Sequence, residues 1–287
     1  MSERAEPGGW PERMGIAPGA ELLLTADVTR ISWLLRHRGA RNAPRALLDA
    51  FLSAVGPGGT IVVPTFNYDL RTGESFDPRR TPTITGALGL AALEHPAFVR
   101  TANPLHSFAV AGRLQREFLA ADDTSSFSEG SPFALLRTNG FILLGLDMHL
   151  NYALSYFHHV EELEAVPYRK WRTVTIRCID AAGASKPRQF RIFAKRAGYA
   201  NELSTLVPRL KEAGAMTTGN TDGVEFLKVD LAKAHEVIAR DIRSNKAGSI
   251  VRFTLRNWLR DTWHALFPMR GPSRSARLLM EQDAGAL

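Results

Sequence analysis

The stretch Gly56-Pro57-Gly58-Gly59-Thr60-Ile61-Val62-Val63-Pro64 decides the fold. Its Gly-Pro-Gly-Gly half is a sharp break, and its second half is a short β-branched run of the kind buried in the middle of a sheet. Upstream, Pro44 to Val55 spaces its leucines and Phe51 for one helix face. Before that, Glu21-Leu22-Leu23-Leu24-Thr25-Ala26 reads as a buried strand, with Asp27 or Thr29 placed to cap the helix that follows. Strand, helix, turn and strand in this order predict an α/β fold: a three-layer sandwich with a mixed central sheet and helices on both faces.

Downstream of Pro64 comes the polar loop Thr65-Phe66-Asn67-Tyr68-Asp69, at the carboxyl end of a strand, where α/β sheets bind ligands. Thr81-Pro82-Thr83-Ile84-Thr85-Gly86-Ala87 leads into a helix reaching about Leu93, although each threonine alone suits an ordinary cap or turn. His106 stands at the mouth of the next apolar strand, a position more often structural than catalytic. Gly140-Phe141-Ile142-Leu143-Leu144-Gly145 is another buried strand.

That strand feeds the most chemically loaded segment, Ser155-Tyr156-Phe157-His158-His159-Val160-Glu161-Glu162. Tyr152 to Leu163 lacks Gly and Pro, and a helix is expected. Residues three apart share a face, so His158 lies over Glu161 and His159 over Glu162. A carboxylate fixes an imidazole's tautomer and raises its basicity, which suits a general base. The same pairs also suit a solvated helix face, and the local pattern leaves both readings open. Adjacent histidines point in different directions, so no metal site is expected.

The chain has 287 residues, 45% hydrophobic and 23% charged, ample for a buried core. No apolar run approaches a membrane span, and residues 1–19 lack the apolar core of a secretory signal. The single Cys178 excludes an internal disulfide; a cytoplasmic protein is the expectation. A formal charge of +7 invites a nucleic-acid reading, but the arginines are scattered and do not interleave with stacking aromatics.

The order of segments resembles the aminoglycoside 3-N-acetyltransferase family. The resemblance rests on Gly59-Thr60, Pro64-Thr65-Phe66, Phe76-Asp77, Thr81-Pro82, Gly86-Ala87, Asn103-Pro104-Leu105-His106-Ser107 and Gly130-Ser131-Pro132-Phe133. Leu143-Leu144-Gly145, Phe157-His158 with Glu161, and Val166-Pro167-Tyr168 complete it, across roughly residues 20–170. It departs where the family commonly has a His-Ser-Ser-Leu run, here Thr25-Ala26-Asp27-Val28, and where Asn103 replaces the first His of a His-Pro pair. An Asp27 facing a phosphate would repel it, so a capping role is expected instead.

The resemblance implies acetyl transfer from acetyl-coenzyme A to a primary amine of an aminoglycoside or amino sugar. His158 would be the base, oriented by Glu161, with His106 near the thioester or as a second proton-transfer group. Thr81, Thr83 and Ser107 would line the coenzyme channel, and Asp69 and Asp77 would hold the amine-bearing acceptor. The net positive charge favours an acceptor less basic than a polycation. Alternatives are an acyltransferase using another acyl-coenzyme A or a carrier-protein thioester on a biosynthetic amine or hydroxyl, or a non-catalytic relic acting as a binding protein. The expected partner is a small-molecule amine, with no nucleic acid and no membrane span; a homodimer is left open.

Past Tyr168, Thr173–Ile179 and Gln189–Phe193 alternate as antiparallel strands, and a long helix spans Ala232 to Ser244. The expected organisation is a flexible arm over 1–18, an acyltransferase domain over 19–250, and a basic amphipathic tail over 251–287 that docks on the body or a partner.

Overall fold

The computed structural model describes residues 9–266 and 271–285. Seven strands form one sheet in the order Met216–Thr221, Val224–Asp230, Ile142–Leu146, Glu21–Ala26, Thr60–Pro64, Phe108–Gly112, Val99–Arg100. The three central strands run parallel, with Leu23 opposite both Val62 and Leu143. The outer neighbours are antiparallel, so the sheet is mixed as expected.

Side chains alternate across a strand, and the alternation builds two cores. Leu22, Leu24, Ile61 and Val63 pack with Leu47, Leu48 and Phe51 of the helix Ala43–Val55. Leu23, Val62, Val110 and Leu143 face the other way, toward Phe118, Phe133, Tyr156 and Ile238. Fully burying one such leucine is worth about 1.5–3 kcal/mol, so a one-residue slip of either central strand would forfeit both layers at once. Strand Phe108–Gly112 ends where Gly112 takes φ 113°, and a Cβ there would lie 2.2 Å from the Gly59 carbonyl oxygen.

A second sheet stands apart. Arg169–Ile179 and Ser185–Lys195 form a long antiparallel ribbon, joined by Ser75–Phe76. Both strands are longer than the sequence pattern predicts, and their register sets Arg169 directly opposite Lys195. This ribbon has its own small core around Leu70, Phe76, Leu105, Ile176 and Phe190.

Several expectations are corrected. The arm over 1–18 is not free where it is described: Trp10–Arg13 is helical, and Trp10, Met14 and Ile16 are buried against the Leu47–Phe51 layer. The Trp10 indole N–H also donates to Asp222 at 2.9 Å; residues 1–8 lie outside the described residues. The helix expected over Tyr152–Leu163 is two pieces, Leu150–Ala153 and Phe157–Leu163. Each piece has its own anchor, since His149 Nδ1 accepts from Asn151 N–H, and the Tyr156 hydroxyl meets His235 at 2.9 Å. Residue 251 marks no break in packing, because Val251–Phe253 pairs with Tyr199–Asn201. The helix Leu255–Leu266 turns its apolar stripe outward: Leu255, Trp258, Leu259 and Trp263 are exposed, while Asp261 accepts from Gly198 N–H on the body. Phe267 lies outside the described residues. The helix Arg274–Gly285 docks by contrast, through Ser273 and Ser275, both buried.

Candidate active site

At the carboxyl ends of Glu21–Ala26 and Thr60–Pro64 opens a cleft of about 670 Å³. Leu24, Ala26, Val63, Pro64 and Leu88 give it an apolar wall, while His106, His158, Asn151 and Lys195 supply polar groups. His106 and His158, far apart in the chain, therefore share one space.

His158 Nδ1 lies 2.6 Å from Glu161 Oε2, the i,i+3 pair expected from the sequence. Arg169 Nη2 lies 2.7 Å from the same oxygen and 2.7 Å from His158 Nδ1. A carboxylate only accepts, so Nδ1 carries the imidazole proton and donates it to Glu161. Arg169 then donates to Glu161 as well, and the basic nitrogen of His158 is Nε2. Glu161 is fully buried and Arg169 nearly so. Burial alone would raise the Glu161 carboxyl, but His158 and Arg169 outweigh it and hold it below its ordinary value. The His158 pKa is held down to about 4, by burial first and the Arg169 cation second, against the opposing pull of Glu161. The ring is thus neutral at physiological pH.

His106 Nδ1 lies 2.9 Å from the Ser126 hydroxyl. Asn103 Oδ1, 3.2 Å from that hydroxyl, already accepts from the backbone N–H groups of Leu105 and His106. The Ser126 hydroxyl donates its one proton to that oxygen, so His106 Nδ1 carries the imidazole proton and donates it to Ser126, which leaves Nε2 as the bare nitrogen. Burial, then the His158 and Arg169 charges, lowers its pKa to about 3. The Asn103 side chain thus closes the turn that presents His106.

The other expected site residues lie elsewhere. Ser107 is fully buried, donating to the Thr65 carbonyl and accepting from Arg100. Thr81 accepts from Asp77 N–H, and Thr83 donates to the Phe66 carbonyl. None of the three lines the cleft; the buried Arg100 ties Ser107 to Thr81, donating also to the Thr65 and Thr81 carbonyls. Asp77 is buried and engaged by Arg79 at 3.2 Å. Asp69 accepts from Ser275 N–H at 3.1 Å and from the Ser275 hydroxyl. Neither carboxylate lines the cleft. His159 does not line it either: it is buried, with Nδ1 2.7 Å from the Phe127 carbonyl. Asp27 does cap the helix Val28–His37, accepting from Thr29 N–H, while Thr25 and Ala26 face the cleft.

Sequence reasoning missed the roles of Arg169 and Lys195, whose approach depends on ribbon register, and of Ser126. An arginine breaking the apolar approach to a strand was the available signal for Arg100. Among the described residues no cluster of metal-ligating side chains occurs, and no helix is long and apolar enough to cross a membrane.

The sequence pattern of the family described as aminoglycoside 3-N-acetyltransferase matches residues 25–242. The chain belongs to that family. A curated relative, aminoglycoside N(3)-acetyltransferase IV of Salmonella sp, is 31% identical over 180 residues, 60% of this chain. The chain matches 64% of that relative's length, just under two thirds. Family members of known structure share the fold. AAC-IIIb in binary complex with CoASH superimposes with a TM-score of 0.73 at 23% identity, covering 85% of this chain and 97% of its own. Aminoglycoside acetyltransferase AAC(3)-Xa gives 0.70 at 24% identity, covering 83% and 92%. The expected three-layer α/β architecture and the family resemblance both hold.

Proposed function

We propose that this protein is an N-acetyltransferase that moves the acetyl group of acetyl-coenzyme A to a primary amine of an aminoglycoside or amino sugar. The observation that carries this reading is the pair of neutral imidazoles in one cleft, each with its tautomer set from behind. The apolar wall of Leu24, Ala26, Val63, Pro64 and Leu88 suits the pantetheine arm of the donor. The named relative and the CoASH complex of AAC-IIIb support the same assignment.

An alkylammonium is no nucleophile until it loses a proton. His158 Nε2 takes that proton, and Glu161 stabilises the imidazolium through Nδ1. The amine nitrogen attacks the thioester carbonyl, the carbon–sulfur bond breaks, and the thiol leaves with a proton. His106, with Nε2 bare in the same cleft, is the second proton-transfer group, which serves the leaving thiol. A positioned base contributes about a hundred- to ten-thousand-fold.

A thiol-release assay with acetyl-coenzyme A and a panel of amines tests the reading. His158→Ala should abolish release, and His106→Ala should lower kcat with little change in donor KM. Turnover by His158→Ala at the parent rate would remove the mechanism while leaving the family assignment intact. No thiol release by the unaltered protein with any amine would favour the relic reading.

A further inference from the structure

We propose that the amine acceptor carries an anionic substituent, a carboxylate or phosphate, which Lys195 binds at the cleft wall beside His158. This narrowing of the substrate class rests on the acetyltransferase reading above.

The charges that the cleft presents point this way. Among the described residues that line it, none is Asp or Glu, and Lys195 is the one lysine or arginine. A polycationic acceptor needs carboxylates, and four that stand near this wall are already hydrogen-bonded. Glu161 is buried and bonded by His158 and Arg169. Asp69 holds Ser275. Asp261 accepts from Gly198 N–H at 3.0 Å and from Arg260. Glu202 accepts from the Ser204 N–H and hydroxyl.

Lys195 is different. Its Nζ donates to Asn201 Oδ1 at 3.0 Å, which uses one of its three protons. Asn201 is itself in the cleft wall, so the bond holds the ammonium there. Arg169, directly across the ribbon, keeps its guanidinium on Glu161 and the Phe193 carbonyl, behind the cleft. After the Arg169 cation, the Lys195 ammonium is the other positive charge that holds the His158 pKa down. Glu161 and Asp261 pull on the Lys195 ammonium, but Arg169 and Arg260 oppose them, so a second cation brought in by an acceptor would add to the positive side, whereas an anionic group would pair with Lys195. The amine of such an acceptor would then sit toward His158, at the other end of the same molecule.

Three acceptors separate the possibilities: glucosamine, glucosamine 6-phosphate and gentamicin, each assayed by thiol release and by calorimetric binding to the full chain. The unaltered protein should prefer glucosamine 6-phosphate. Lys195→Met should lower its kcat/KM relative to that for glucosamine by about ten- to a hundredfold, the usual reach of a charge-assisted hydrogen bond. Lys195→Arg should keep much of the preference, and Lys195→Glu should move it toward gentamicin. Calorimetry reads the same order of affinities without turnover, so it decides the point even if no acetyl transfer is found. The proposal is overturned if gentamicin is the preferred ligand of the unaltered protein. It is equally overturned if Lys195→Met weakens all three acceptors alike, or raises only the acetyl-coenzyme A KM, which would assign the lysine to the donor's phosphates.

Discussion

Replacing Glu161 separates the catalytic and structural duties of one carboxylate. Its side chain is fully buried, and its Oε2 takes protons from both His158 and Arg169. Glu161→Gln keeps the shape and one acceptor oxygen but leaves the Arg169 cation buried without a counter-charge. Removing one partner of a buried pair costs about 3–5 kcal/mol, and the retained amide oxygen puts this variant near the lower end. For a chain of this size, about 3 kcal/mol corresponds to a fall of roughly 6–12 °C in melting temperature. His158→Ala leaves the Glu161–Arg169 pair intact, so its melting temperature should stay within about 3 °C. The acid limb of turnover has a definite sign as well. Glu161 raises the His158 pKa, so Glu161→Gln should move that limb to lower pH and reduce kcat by losing the imidazolium's partner. The assays are thermal unfolding followed by tryptophan fluorescence, and a pH profile of thiol release. Equal destabilisation by the two variants, or a Glu161→Gln protein as stable as its parent, would refute the buried-pair account.

Three further outcomes are expected. Gly112→Ala should be severely destabilising, by more than about 3 kcal/mol, because it adds left-handed strain to a 2.2 Å approach to the Gly59 oxygen; soluble yield and melting temperature check this. His235, buried beside the Tyr156 hydroxyl, has its pKa lowered to about 4, by burial first. The unfolded ring titrates near 6.5 and binds a proton that the folded ring refuses, so its contribution is full above that pH and lost as pH falls toward 4. After solvent screening, about 1–2 kcal/mol should disappear between roughly pH 7.5 and 5, and denaturant midpoints at the two values should show less loss in His235→Gln. Asp69→Ala should loosen the helix Arg274–Gly285 by about 1–2 kcal/mol, read as faster trypsin cleavage at Arg274 and Arg277.

The parts legible in the sequence were those set by local periodicity. The strands Glu21–Ala26 and Thr60–Pro64 follow from their apolar runs and the two helices between them from caps and spacing, as does the His158–Glu161 pair at i,i+3. The hairpin Met216–Thr221/Val224–Asp230 went unread, although Asp222-Gly223, both at positive φ, fits a primed two-residue turn. What was not legible depends on partners distant in the chain. Asp69 looks like an acceptor-binding carboxylate until Ser275, far along the chain, is seen to occupy it, whereas Asp77 is taken by its near neighbour Arg79. Thr81, Thr83 and Ser107 look like coenzyme contacts until Arg100 and the neighbouring carbonyls use their hydroxyls and backbone. The ribbon pairs Arg169 with Lys195, and that register alone puts Lys195 in the cleft wall and Arg169 behind it on Glu161.

The contact between Asp69 and Ser275 joins residues 206 positions apart. Asn67 Nδ2 also reaches the Ser275 hydroxyl, at 2.8 Å, so the loop that puts Phe66 and Tyr68 into the cleft leans on a late segment. During synthesis the chain emerges amino end first, and the central strands can pair long before Ser275 is made. A nascent chain therefore has its sheet before it has a finished cleft. Ribosome-bound chains halted short of residue 275 should resist proteolysis in the sheet while their Asn67–Asp69 loop remains cleavable.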